Sequence, residues 1–191
     1  MKIDTTENLP SQNPSNIAVI LVDMQEKLLQ GISTRNDLLK SVKILIQSAD
    51  LFGIPSILTE QVPDKLGCTD TSLQAMLTEP TVISKSSFSV FGSDEFKNTI
   101  NNKDISHIIL AGVETSICIY LSAIDALKYG INVTVLYDCV GARRDSDAQV
   151  ALQKLEHAGC HIVPLESFLY GYLENADHPN FKDVTKLIRN R

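Results

Sequence analysis

The sequence predicts an α/β fold: a three-layer α/β/α sandwich around a six-stranded, mainly parallel sheet of order 3-2-1-4-5-6. Three observations predict it. Short apolar runs alternate with longer amphipathic segments from residue 17 onward. The run Ile17–Val22 carries no polar alternation, as a strand buried on both faces does. The helical patterns between strands are long enough to return the chain by right-handed crossovers to parallel neighbours.

The elements follow in order. Ile17-Ala-Val-Ile-Leu-Val22 is the first strand, and Asp23-Met24-Gln25 leads from it into a short helix over 25–30. Asp37–Phe52 carries Leu38, Val42, Leu45, Ile46 and Ala49 at helical spacing and stops at Gly53. Ile54–Thr59 is the second strand, with Pro55 near its start, where proline is tolerated. Leu73–Leu77 predicts a short helix closed by Pro80, and Thr81–Ser84 a third strand. Asp94–Asn101 reads as a helix and Ser106–Gly112 as strand four. Thr115–Tyr129 is an apolar helix capped by Gly130. Ile131–Tyr137 is strand five, Ser146–Ala158 a helix ending at Gly159, and His161–Pro164 strand six. Glu166–Leu173 and Phe181–Arg189 are the last helices.

The 191 residues suit one domain, at roughly 150 residues per domain. It is placed at 17–191, behind a polar arm over 1–16. With 43% hydrophobic and 21% charged residues, the composition is that of an ordinary globular protein. A net charge of −6 argues against nucleic acid or an anionic membrane as partner. No apolar stretch approaches the ~20 residues of a membrane span. The first sixteen residues fit neither a secretory nor a transit signal. Cys68, Cys118, Cys139 and Cys160 form no C-x-x-C pair and suit scattered thiols in a reducing compartment, the cytoplasm.

Several chemistries are absent from the pattern. No two glycines stand two apart, so there is no G-x-G-x-x-G fingerprint. G-x-S-x-G is missing, and Lys85-Ser86 lacks the glycines of a P-loop. His157 and His161 straddle Gly159, which ends their helix; His107 and His178 read as surface residues. No metal site and no cofactor are predicted.

Ligands of open α/β sheets bind at the carboxyl ends of strands, where strand order reverses. Asp23, Lys85 and Cys118 occupy three such ends. A helix N-terminus and an ammonium favour a thiolate, which predicts a lowered Cys118 pKa and the fastest-alkylating thiol of the four. Asp23 then serves as base and Lys85 as charge partner. Each residue also has a plainer reading: Cys118 as core filler, Asp23 as helix cap, Lys85 as a loop charge that adds little to stability.

The segments carrying these residues, Ile20-Leu-Val-Asp23-Met-Gln25, Ser84-Lys85-Ser86-Ser87-Phe88-Ser89 and Ala111-Gly-Val-Glu-Thr-Ser-Ile-Cys118, resemble the isochorismatase-like cysteine hydrolases. That family includes nicotinamidases, N-carbamoylsarcosine amidases and isochorismatases. Thr59-Glu60-Gln61, the Phe88–Phe91 stretch, the segment Asp177-His178-Pro179-Asn180-Phe181-Lys182 and Leu187-Ile188 are most similar to its isochorismatase domain-containing subgroup. The resemblance implies Cys118 as nucleophile, Asp23 as base and Lys85 as its partner. It further implies a cis peptide between Val113 and Glu114, with the backbone N–H groups of Glu114 and Cys118 as oxyanion donors. Two departures stand out. The stretch 59–68 lacks the histidine of the nicotinamidase metal site, and true isochorismatases typically lack the cysteine.

The resulting expectation is a metal-free cysteine hydrolase that cleaves a C–N bond, amide or carbamoyl, of a small molecule through a thioester. Gln25, Gln61 and Phe88 are candidate pocket residues, and a homo-oligomer is expected. The rivals are a metal-free vinyl-ether hydrolase using Asp23 as acid, and a non-catalytic interaction protein on the same fold.

Overall fold

β1 (Ile17–Val22) lies at the centre of the sheet in the computed structural model, which describes residues 16–77, 80–189 and 191. The N-terminal arm lies outside the described residues as far as residue 15. Ile17, Val19 and Leu21 face one helical layer while Ala18, Ile20 and Val22 face the other. With both faces buried, every position is apolar and the alternation of a half-exposed strand is missing.

Past β1 the chain forms α1 (Glu26–Leu29) and then α2 (Arg35–Phe52), whose stripe Leu38, Val42, Leu45 and Ala49 covers the first face. Gly53 ends α2 at φ 70, a left-handed position that glycine adopts freely. β2 (Ser56–Gln61) starts past Pro55 and runs two residues further than expected, because its pairing with β3 continues to Gln61 opposite Lys85. The short helices α3 (Pro63–Leu66) and α4 (Thr71–Gln74) lead to β3 (Thr81–Lys85). Next come α5 (Asp94–Asn102), β4 (His107–Val113), α6 (Tyr120–Lys128), β5 (Asn132–Gly141) and α7 (Asp145–Ala158). β6 (His161–Val163), α8 (Leu165–Leu173) and α9 (Phe181–Arg189) complete the described chain.

The sheet order is β3-β2-β1-β4-β5-β6 and every pair is parallel, so the expected order holds and the sheet is wholly rather than mainly parallel. Helices α2, α8 and α9 pack on one face, α5, α6 and α7 on the other. Strand order reverses between β1 and β4, which opens the crevice where such sheets bind ligands. Among the described residues no helix is long and apolar enough to cross a membrane.

Three local expectations are corrected. His107 is buried rather than on the surface, with a ring nitrogen 2.9 Å from Thr134 Oγ1, because its strand is flanked by β1 and β5. His178 is half-buried, edge-on to Phe52 and Tyr172. Cys139 lies inside β5 rather than after it. The strand bulges between the pairings of Leu110 and Gly112, sending Asp138 outward to accept the Leu165 N–H at 2.8 Å.

Candidate active site

The site is assembled by strand register. Val22 stands opposite Thr59 on one side and Gly112 on the other, and Gln61 opposite Lys85. Asp23, the first residue beyond β1, therefore projects between the ends of β2 and β4. Its φ of 52 is a left-handed value that aspartate tolerates better than most residues. Gly112 permits the close β1–β4 approach. A Cβ there would fall 2.1 Å from the Val22 carbonyl oxygen, and its φ of 118 suits glycine alone.

Asp23 and Lys85 are fully buried and form an ion pair, Nζ to Oδ2, at 2.7 Å. The ammonium also donates to Gln61 Oε1 at 2.7 Å and to the carbonyls of Ser87 at 3.1 Å and Phe88 at 3.4 Å. The other Asp23 oxygen accepts from the Thr59 hydroxyl at 2.8 Å. A buried charge pair is tolerated only when its remaining donors and acceptors are satisfied, which this network achieves.

Cys118 sits in a π-helical turn (Thr115–Ile119) that replaces the first turn of the helix expected over 115–129. The Ile119 N–H reaches back five residues to the Glu114 carbonyl at 3.1 Å. Such turns recur at functional sites. The peptide between Val113 and Glu114 is cis, as the motif implied. The Cys118 thiol lies beside the Asp23 carboxylate, with the Glu114 backbone N–H directed at its sulfur.

The expected lowering of the thiol pKa is reversed. Burial and the neighbouring Asp23 carboxylate push it up to about 12, against a smaller opposing pull from Lys85. The reason is geometric: the lysine charge is already consumed by Asp23, so the sulfur sees a buried ion pair instead of a lone cation. Burial and the carboxylate beside it thus favour the neutral thiol at Cys118.

The three pocket candidates separate. Gln25 is fully buried and wholly occupied by main chain: its amide donates to the carbonyls of Gln61, at 3.0 Å, and Gly67, and its Oε1 accepts from the Gln61 N–H at 2.8 Å. It clips the 61–67 segment to β1. Gln61 holds Lys85 and donates to the Ser86 carbonyl at 2.8 Å, so it serves the ion pair. Phe88 is 58% exposed, and its backbone carbonyl, not its side chain, meets the Lys85 ammonium.

Sequence reasoning missed Thr59 and Arg143. Thr59 lies in a quoted motif, yet only the register puts its hydroxyl on Asp23. Arg143 Nε donates to Glu114 Oε1 at 2.6 Å, holding the side chain of the residue that follows the cis peptide. Glu60 is also buried, its carboxylate accepting from the Thr69 N–H at 2.7 Å and hydroxyl at 3.0 Å.

With this geometry in hand, the sequence pattern of the isochorismatase domain matches residues 17–167. The chain belongs to the isochorismatase domain family. It is 34% identical over 170 residues to isochorismatase domain-containing protein 2 of Danio rerio, covering 89% of this chain and 85% of that one. Isochorismatase domain-containing protein 2A of Mus musculus is 31% identical over 176 residues, covering 92% and 84%. Among solved structures, one described as MAR1 ribonuclease from Caenorhabditis elegans superposes with a TM-score of 0.86 at 33% identity, covering 93% of this chain and 91% of that one. The isochorismatase domain thus includes β1 through the start of α8, and with them Asp23, Lys85 and Cys118.

Proposed function

We propose that this isochorismatase-domain protein is a cysteine hydrolase that cleaves a C–N bond of a small amide or carbamoyl compound through a thioester. The observation that carries the reading is the buried Asp23 carboxylate, paired with the Lys85 ammonium at 2.7 Å and lying beside the Cys118 thiol. A thiol held neutral beside a carboxylate needs its proton removed as it attacks, and Asp23 is placed to take it.

Asp23 accepts the thiol proton while sulfur bonds to the carbonyl carbon and the oxygen becomes an oxyanion. The N–H groups of Glu114 and Cys118 receive that oxyanion. The C–N bond breaks, and the departing nitrogen takes the proton from Asp23. Water then adds to the thioester with Asp23 again as base, releasing the acid and restoring the thiol. Lys85 keeps its charge throughout and steadies the carboxylate in both protonation states.

The related ribonuclease structure raises nucleic acid as a substrate. Against it stand the net charge of −6 and a nucleophile suited to carbonyl carbon rather than to phosphorus. An oligomer is consistent with the octameric hydrolase of Escherichia coli that shares the fold at 20% identity and a TM-score of 0.83.

The test is a screen of small amides and carbamoyl compounds read by ammonia release, followed by mass spectrometry of the quenched protein. A mass adduct on Cys118 that disappears in Cys118→Ala supports the mechanism. Turnover that persists in Cys118→Ala would sink it and favour proton transfer from Asp23 to an ether.

A further inference from the structure

We propose that a cleft on the β5 side of the nucleophile turn binds a small organic carboxylate with an apolar body. Its volume of about 630 Å3 is in the range of small-molecule sites. Glu114, Ser116 and Ile117, just ahead of Cys118, form one wall, and the first turns of α7 form the other. Asp23 and Lys85 approach Cys118 from β1 and β3, on the opposite flank, and take no part in the cleft.

The lining defines the ligand. Ile117, Tyr120, Val150 and Ala151 offer apolar surface, and Val150 is 57% exposed. Arg143, Arg144 and Lys154 bring positive charge. Glu114 answers Arg143, and Asp147 lies 3.7 Å from Arg144. Lys154 has no ion-pair partner among the described residues. One positive charge is therefore left over, beside an apolar wall, on a chain whose net charge is −6. That combination selects a monoanion with an apolar body over a cation or a neutral amide. Ser116 adds a hydroxyl donor.

Glu114 connects the cleft to the nucleophile, and this link alone rests on the hydrolase reading. Its carboxylate is held by Arg143 while its own N–H is directed at the Cys118 sulfur. A bound carboxylate competes for Arg143 and so acts on the residue beside the sulfur. The ligand is either the anionic end of the substrate or a separate effector; the chemistry recognised is the same.

The test titrates hexanoate, with hexanamide as its neutral match, into Cys118→Ala protein and follows 15N–1H NMR spectra. Saturable shifts are expected at Ser116, Ile117 and Val150, with hexanamide weaker by about tenfold or more, the loss of a charge-assisted contact. Lys154→Glu should weaken hexanoate by a similar factor without moving the urea unfolding curve. Absence of saturation, equal binding of the two probes, or shifts confined elsewhere would overturn the site. So would sedimentation showing that a second copy of the chain covers the cleft. Because binding is read without turnover, these outcomes are independent of the hydrolase assignment. Iodoacetamide labelling of wild-type Cys118 then separates the sources. Complete block by hexanoate places the substrate's end there, a partial plateau marks an effector, and no change overturns the link to the nucleophile.

Discussion

The Cys118 thiol and the Asp23 carboxylate form a single unit, in which the acidity of one depends on the charge of the other. Burial and Asp23 push the thiol pKa up to about 12, so in the proposed mechanism Asp23 takes the thiol proton during attack. Asp23→Asn should therefore reduce turnover by about 1,000-fold, within the range for loss of a general base. In limiting iodoacetamide the same change should speed labelling of Cys118, because it removes the carboxylate that raises the thiol pKa and frees the Lys85 charge, and leave exposed Cys68 unaffected, as read by peptide mass spectrometry. Unchanged Cys118 labelling would mean that Asp23 does not set the acidity of the thiol. Lys85 also differs from the loop charge considered from sequence: it is buried, with acceptors on all sides. Lys85→Met strands the Asp23 charge and should cost about 3–5 kcal/mol in urea unfolding, as well as activity. Adding Asp23→Asn should return most of that stability. If Lys85→Met unfolds at the wild-type midpoint, the pair does not stabilise the fold.

At the scale of elements, the site depends on how closely β1 and β4 approach. Gly112 allows that contact, since any Cβ would collide with the Val22 carbonyl and the backbone holds φ at 118. Gly112→Ala should destabilise by about 3 kcal/mol or more, through steric overlap and positive φ together. It should also lower activity by separating Asp23 from the Cys118 turn. Calorimetry and turnover measured side by side test this, and a variant of unchanged stability and rate would refute the close packing. The clip made by Gln25 belongs to the same scale. By tying β1 to the Gln61 and Gly67 carbonyls, it fixes the strand end from which Gln61 reaches Lys85.

For the whole molecule, pH and metal dependence follow from groups buried in the sheet. Burial, aided by nearby His161, lowers the His107 pKa to about 4. In the unfolded chain the imidazole titrates near its ordinary ~6.5, so between these values the unfolded state binds the extra proton. The neutral His107 contributes fully above pH ~6.5, and this stability is lost as pH falls toward 4, by about 3 kcal/mol in all. Urea unfolding at pH 7 and pH 4.5 should show a smaller difference for His107→Gln than for wild type; equal differences would place the titration elsewhere. The carboxylates near Cys118 are engaged, Asp23 by Lys85 and Glu60 by Thr69. EDTA-treated protein should therefore keep its activity on any substrate the screen identifies. Loss on chelation, with recovery on one added divalent metal, would require a different mechanism.

Much of this was legible in the linear chain. The unbroken apolar run Ile17–Val22 marks a strand buried on both faces, and the alternation of runs and helices indicates a parallel sheet, whose expected order the structure bears out. Because such sheets bind ligands at their carboxyl ends, Asp23, Lys85 and Cys118 stand out once the strands are placed. What the chain could not convey was which groups share a hydrogen bond. Thr59 lies 36 residues from Asp23, and Lys85 lies 62 away. Their meeting depends on strand register, as does the burial of His107 between β1 and β5. The protonation of Cys118 was likewise decided by tertiary structure. Local sequence supplies a helix start and a lysine, both favouring thiolate, but desolvation and the pairing of that lysine with Asp23 reverse the balance. Periodicity acts over a few residues and survives in the sequence; electrostatics in a buried site acts over a few ångströms between distant segments and exists only in the folded molecule.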